Sequence, residues 1–208
     1  MGTAGDSGVA QLVDLLITTQ GPLPGAKLVE WNMADPEGAP GSAGMWEVHF
    51  RIGGAIGTQI NPTNCPRGDG SNATAAECAG SWALLHITSK ATAYLENVWG
   101  WVADHDLDYD DQINVYNARG LLIESQGPVW LYGTAFEHSL LYQYNLHGAK
   151  NVLLAMIQTE QPYFQPAPLT PFDTSAGSSV LAGADTDPTY CTGDSRCNMA
   201  LALNIEVM

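Results

Sequence analysis

The chain has 208 residues, 45% of them hydrophobic and only 14% charged, with seven Lys plus Arg against 22 Asp plus Glu and a formal net charge of −15. Ordinary domains carry about 25% charged residues, so few solvated helix faces can be built here, and the lack of clustered Lys and Arg argues against a nucleic-acid partner. No apolar stretch is long enough to cross a membrane as a helix, and an acidic surface suits either solubility alone or a neutral ligand.

In chain order, Val9 to Ile17 reads as a strand or buried run, followed by the turn Gly21-Pro22-Leu23-Pro24-Gly25 and a polar, small-residue stretch from Asn32 to Gly44. Met45 to Ile52 alternates apolar and polar residues as a strand does. A long excursion, about residues 53–80, carries Cys65, Cys78 and the sequon Asn72-Ala73-Thr74, after which Trp82 to Thr88 resumes the strand pattern. Further passages start at Ala93, Gly120 and Tyr142. A second excursion, about residues 162–197, is rich in Pro, Ser, Asp and Gly and holds Cys191 and Cys197, and Met199 to Val207 reads as one more strand.

Local disulfides, Cys65 with Cys78 and Cys191 with Cys197, are favoured among the three connectivities because each closes a short surface excursion. Neither spacing is that of a zinc site. Disulfides and a glycosylation sequon point to a secreted, extracellular glycoprotein. Met1-Gly2-Thr3-Ala4-Gly5-Asp6 lacks the basic and apolar regions of a signal peptide, so the chain reads as a segment of a larger secreted protein.

Three apolar runs overlay: Val98-Trp99-Gly100-Trp101, Val129-Trp130-Leu131-Tyr132 and Val152-Leu153-Leu154-Ala155. With Trp99, Trp130 and Leu153 in one column, Asp106, Glu137 and Glu160 follow seven residues later in each. A repeat in the twenties, built from strands too short to be helices and punctuated by Gly and Asn, marks a solenoid. The expected fold is all-β: a single-stranded right-handed parallel β-helix of the pectin-lyase type, occupying residues 1–208 as one incomplete domain. Stacked strands lie about 4.8 Å apart, so stacked carboxylates repel unless one is protonated.

That makes Glu137 and Glu160, 23 residues apart (160 − 137), a candidate acid pair. Hydrolysing a glycosidic bond needs one carboxyl group to protonate the leaving oxygen and another to activate water or attack the sugar. Glu160 stands before an X-Pro turn with aromatic neighbours, a setting that raises a carboxyl pKa; Glu137 precedes His138. Stacked acids are also ordinary solvated surface groups. Trp99 and Trp101 alternate on one strand and so share a face, where rings can cover the apolar side of a pyranose or simply fill the core. Asp104-His105-Asp106 resembles a ligand cluster but has no third well-spaced donor, and no metal or cofactor is expected.

The stretches Ala103 to Asp108, Asn114 to Ser125, Val129 to His138, Tyr142-Gln143-Tyr144 and Gln158 to Tyr163 together resemble the fungal β-1,3-glucanases of glycoside hydrolase family 55, over roughly Trp46 to Phe172. The resemblance implies a secreted enzyme of two tandem right-handed β-helices that cleaves β-1,3-glucans such as laminarin from the non-reducing end with inversion. It assigns the general acid to Glu160 and a water-holding role to Glu137. Tyr163, Trp99, Trp101 and Asp106 would line the sugar site. This chain then corresponds to part of the second β-helix, and its partner, the N-terminal β-helix that shares the water, has no counterpart in it. Little or no hydrolysis is expected of the segment alone.

Two further readings compete. A truncated solenoid could grip glucan through Trp99, Trp101 and Tyr163 without turning it over. A β-helix polygalacturonase would need paired Asp motifs and basic residues for an acidic sugar, which seven Lys plus Arg do not supply. Stereochemistry gives a check, because inversion needs about 6.5–9.5 Å between acid and base and retention about 5–5.5 Å. Strands about 4.8 Å apart favour retention while the resemblance implies inversion, so either the side chains splay apart or, as we expect, Glu137 is one part of a water-binding cluster. A carboxyl gap near 5 Å with no room for water would sink that reading.

Overall fold

The structure, a computed structural model, describes residues 1–67, 77–105, 112–162 and 184–187, and the backbone of 203–206. The described residues form twelve strands: β1 (Ala10–Thr18), β2 (Leu23–Trp31), β3 (Ala43–Ile52), β4 (Ala79–Ile87), β5 (Ala93–Glu96), β6 (Trp99–Val102), β7 (Tyr116–Ile123), β8 (Val129–Tyr132), β9 (Ala135–Glu137), β10 (Tyr142–His147), β11 (Val152–Ala155) and β12 (Leu203–Glu206). The described residues contain no helix. They form two sheets, one of β1, β3, β5, β6, β8, β9 and β11, the other in the order β12-β10-β7-β4-β2. Every strand ladder is parallel.

The chain therefore visits the first sheet, crosses to the second, and returns one strand further along, which is consistent with a β-helix. Parallel strands covered on one face by the opposite sheet read as short Val, Ile and Leu runs, which is what the sequence contains. Between the sheets lies one apolar core, including Phe50, Ile52, Leu85, Ile87, Leu95, Val98, Leu121, Leu131, Phe136 and Tyr144.

Each passage through the first sheet bends at one residue in the left-handed backbone region: Asp14, Glu47, Asn97, Gly133 and Met156, with φ between 52° and 59°. The registers beside them (Val13↔Trp46, His49↔Trp99, Trp99↔Ala135, Ala135↔Gln158) stack the five in one column. This corner separates β5 from β6 and β8 from β9. Asn97 donates its side-chain amide to Glu47 Oε1 at 2.7 Å across it. Asn and Gly adopt this conformation readily; Met156, an apolar residue in the same conformation, is 88% exposed.

Two sequence expectations change. The turn at residues 21–25 is shorter, because β2 begins at Leu23 and runs to Trp31; Pro24 is tolerated because β2 is the last strand described on its side and its register slips between Leu23 and Lys27. The column placing Trp99 with Trp130 also fails. Trp130 pairs with Leu153 on one side but with Tyr94 on the other, while Trp99 pairs with Ala135. The earlier step is thus 36 residues (130 − 94, and 135 − 99), not the 31 (130 − 99) that separates the two tryptophans. Trp99 belongs past the corner, in β6, although its run resembles the run before the corner in the next passage.

Cys65 and Cys78 form a disulfide, with Cα atoms 5.9 Å apart; Cys191, Cys197 and Asn72 lie outside the described residues. Both cysteines are buried in the core. Closing a loop of this size is worth about 3 kcal/mol. The double change Cys65→Ser with Cys78→Ser should lower unfolding stability by roughly that amount in urea titrations, and a loss under 1 kcal/mol would mean that the loop holds itself.

Candidate active site

Five strand segments set out the site as two columns on the face of the first sheet that points away from the core. One column is Leu16, His49, Trp99, Ala135 and Gln158; its neighbour is Thr18, Arg51, Trp101 and Glu137. Glu160 extends the second, because Gln158 bridges Ala135 and the Glu160 carbonyl accepts the His138 amide at 3.4 Å. The 23-residue pairing of Glu137 with Glu160 therefore stands, while the neighbour of Glu137 in the preceding passage is Trp101 and not Asp106. Asp106 and Tyr163 lie outside the described residues.

Inward of this face, Phe136 decides which residues point outward. Its buried ring covers Gly100, where a Cβ would run into it and into Leu84. Phe136 inward forces Ala135 and Glu137 outward by strand alternation. For the same reason Trp99 and Trp101 flank Gly100 on the outside, half-buried, with their rings stacked at 4.9 Å and 9° between planes. His49 meets Trp99 edge-on at 5.8 Å, His105 meets Trp101 at 5.2 Å, and the Arg51 guanidinium lies 4.6 Å over the Trp101 ring. A groove of about 440 Å³ is lined by Leu16, His49, Phe50, Arg51, Trp99 and Trp101. Arg51 is held from behind by the carbonyls of Gly53, Gly54 and His105.

At the far end of the columns the acids differ in surroundings. Glu137 is 4% exposed. Its Oε1 accepts the Gln158 side-chain amide at 3.1 Å. Burial pushes its carboxyl pKa up, and the charge of Glu160 adds to that; the Trp99 indole N–H and His138 pull it back. The indole nitrogen completes no hydrogen bond of good geometry. The Glu160 side chain is 56% exposed. His138 stands between them, buried, at a left-handed corner (φ 64°), with Nε2 3.6 Å from Glu160 Oε2 and 4.0 Å from Glu137 Oε2. Its Nδ1 is 2.7 Å from the Gln161 carbonyl oxygen. A carbonyl only accepts, so Nδ1 carries a proton.

Sequence reasoning did not find His49, Arg51 or Gln158. Gln158 was discoverable, since it precedes Glu160 by two on the same face; His49 and Arg51 were not, because an excursion of unknown path separates them from β6.

A raised carboxyl pKa makes burial of Glu137 costly in its charged form. Its native state holds the proton to higher pH than the unfolded chain, so stability falls as pH rises from the unfolded value, about 4.3, through the native one. Glu137→Gln keeps the Gln158 contact and is expected to raise stability near pH 7, by about 1.4 kcal/mol for each pKa unit of elevation, and to have no such effect at pH 3. Thermal unfolding at both pH values tests this; equal shifts at both would contradict it.

No family model matches the chain. Three relatives cover nearly all of it. One, named non-secreted LysM effector LysM15, from Penicillium expansum, is 48% identical over 92% of this chain and 14% of its own length. A probable glucan endo-1,3-beta-glucosidase of Arthroderma benhamiae is 49% identical over 99% of the chain and 23% of its own. A glucan 1,3-beta-glucosidase of Cochliobolus carbonum is 38% identical over 91% and 23%. Relatives named as glucan 1,3-beta-glucosidases thus align with almost every residue described above. The chain spans less than a quarter of the length of each of these three.

Proposed function

We propose that this chain carries part of the active site of a β-1,3-glucan hydrolase, built on a right-handed single-stranded β-helix. The observation that carries the reading is the pairing of Glu137 with Glu160 at one end of a Trp99–Trp101 platform, in a segment 49% identical to a protein named as a glucan endo-1,3-beta-glucosidase. A neutral glucan suits the site: the exposed parts of the stacked Trp99 and Trp101 indoles offer apolar surface to a sugar, and no basic cluster is required. Glu160 gives its proton to the glycosidic oxygen as the C1–O bond breaks. Water adds to C1, and its proton passes to Glu137, which holds that water together with groups of a second, N-terminal β-helix. Secretion accompanies this reading; the Cys65–Cys78 disulfide supports it, whereas one relative is named as non-secreted.

Stereochemistry and mode of attack are the finer parts. The ligand atoms of Glu137, His138 and Glu160 all lie within 4.8 Å of one another, shorter than the span for inversion and near that for retention. Oxygens this far apart can share one bridging water, and inversion then requires the exposed Glu160 to swing outward over the sugar. The anomer first formed from laminarin, read by proton NMR, decides: the α product supports inversion, the β product refutes it. Glucose as sole early product supports attack from the non-reducing end; a ladder of oligosaccharides would refute it, in keeping with the relative named endo.

Binding without turnover is the second reading, favoured by the groove that Trp99 and Trp101 line beside the acids. Under either reading Trp99→Ala should weaken laminari-oligosaccharide binding about tenfold or more, measured by calorimetry. Unchanged affinity would remove the platform from the site.

A further inference from the structure

We propose that Glu137, His138 and Glu160 form a binding site for a divalent transition cation of the zinc or copper type, which occludes the acid pair. This goes beyond the hydrolase reading and does not depend on it. Nothing in the spacing of the three residues announces such a site; the fold assembles it by stacking the Glu160 passage on the Glu137 passage.

The geometry converges. One imidazole nitrogen and one oxygen from each carboxylate lie within 4.8 Å of one another, with His138 Nε2 at 3.6 Å from Glu160 and 4.0 Å from Glu137. These gaps exceed hydrogen-bond length, and a modest inward swing brings all three onto one ion at bonds of about 2.0–2.2 Å. Glu160, the exposed member, is free to make that swing. Imidazole plus two carboxylates is a donor set that suits zinc and copper.

Two observations outside the trio support a cation. His138 Nδ1 is fixed by the Gln161 carbonyl, the arrangement that orients metal-binding imidazoles, and this turns Nε2 toward the two carboxylates. The Glu137 side chain is 6% exposed and uses Oε1 for Gln158, while Oε2 faces His138 at 4.0 Å, beyond hydrogen-bonding reach. Two carboxylate oxygens converging on one point are relieved by positive charge. Bound there, the ion withdraws the carboxylate oxygens from a sugar.

The test uses the 208-residue chain and no substrate. ZnCl₂ is titrated by calorimetry at pH 7 and pH 5, and CuCl₂ by quenching of tryptophan emission, since Trp99 adjoins Glu137. One equivalent is expected, weaker at pH 5 because protons compete for the ligands. Glu160→Gln and His138→Asn should each weaken binding by about 10–100-fold. Asn accepts the left-handed backbone at position 138, and Glu160 is on the surface, so circular dichroism should match the parent. His105→Asn, beside Asp104, should leave binding unchanged. No binding at millimolar Zn²⁺, undiminished binding in both site variants, or loss confined to His105→Asn would each overturn the proposal. None of these outcomes bears on whether Glu160 donates a proton to glucan.

Discussion

Glu160→Gln is expected to lower kcat for laminarin hydrolysis by about 10²–10⁴-fold, the usual contribution of a positioned proton donor, with little change in KM. The amide keeps the size and polarity of the side chain but has no acidic proton to give. Because the Glu160 side chain is mostly exposed, stability should move by less than about 0.5 kcal/mol. An aryl β-glucoside whose phenolate leaves without protonation should recover most of the lost rate, because a good leaving group needs no acid. The assay requires a form of the protein that turns over laminarin. If activity persists in that form, the proton comes from another residue; if it disappears for the activated substrate as well, Glu160 acts in binding and not as the acid.

Phe136→Ala should cost about 3–5 kcal/mol in unfolding stability, as deletion of a fully buried aromatic ring does. Phe136 fills the notch above Gly100, meets Tyr144 edge-on at 5.3 Å and tilts against Phe50 at 6.4 Å. Gly100 has no side chain with which to refill the space. The effect should extend to the site, because Tyr144 uses its hydroxyl to hold the carbonyls of Thr134 and Gln158 at 2.9 and 3.3 Å, and Gln158 in turn holds Glu137. Urea denaturation gives the stability change. A loss below 1 kcal/mol would mean that the core collapses around the gap and that the outer face does not depend on this ring.

The Glu137–Glu160 relation could be read from the sequence because only a short, uninterrupted turn separates the two passages, so the repeat in sequence equals the repeat in space. The relation of β6 to β9 could not. An insertion between β6 and β7 and a corner inside each passage make Trp99 resemble Trp130 while belonging past the bend, where it stacks on Ala135. Shared outward facing of Trp99 and Trp101 followed from strand alternation alone. That they stack on each other, with Arg51 over one of them, needed β3 alongside.

The sequence by itself determined the strand-rich class, the repeat of 23 residues and the acid pair that it stacks, since apolar runs of strand length, few charges and a fixed interval each have a direct structural meaning. Only the tertiary structure decided which residue stands beside Glu137, how deeply each acid is buried, and that His138 lies between the two. Those depend on hydrogen-bond register between passages and on a left-handed corner after Glu137. Register is set by the ladder of parallel strands and the packing of Phe136 over Gly100, and insertions in the loops change spacing along the chain without changing it.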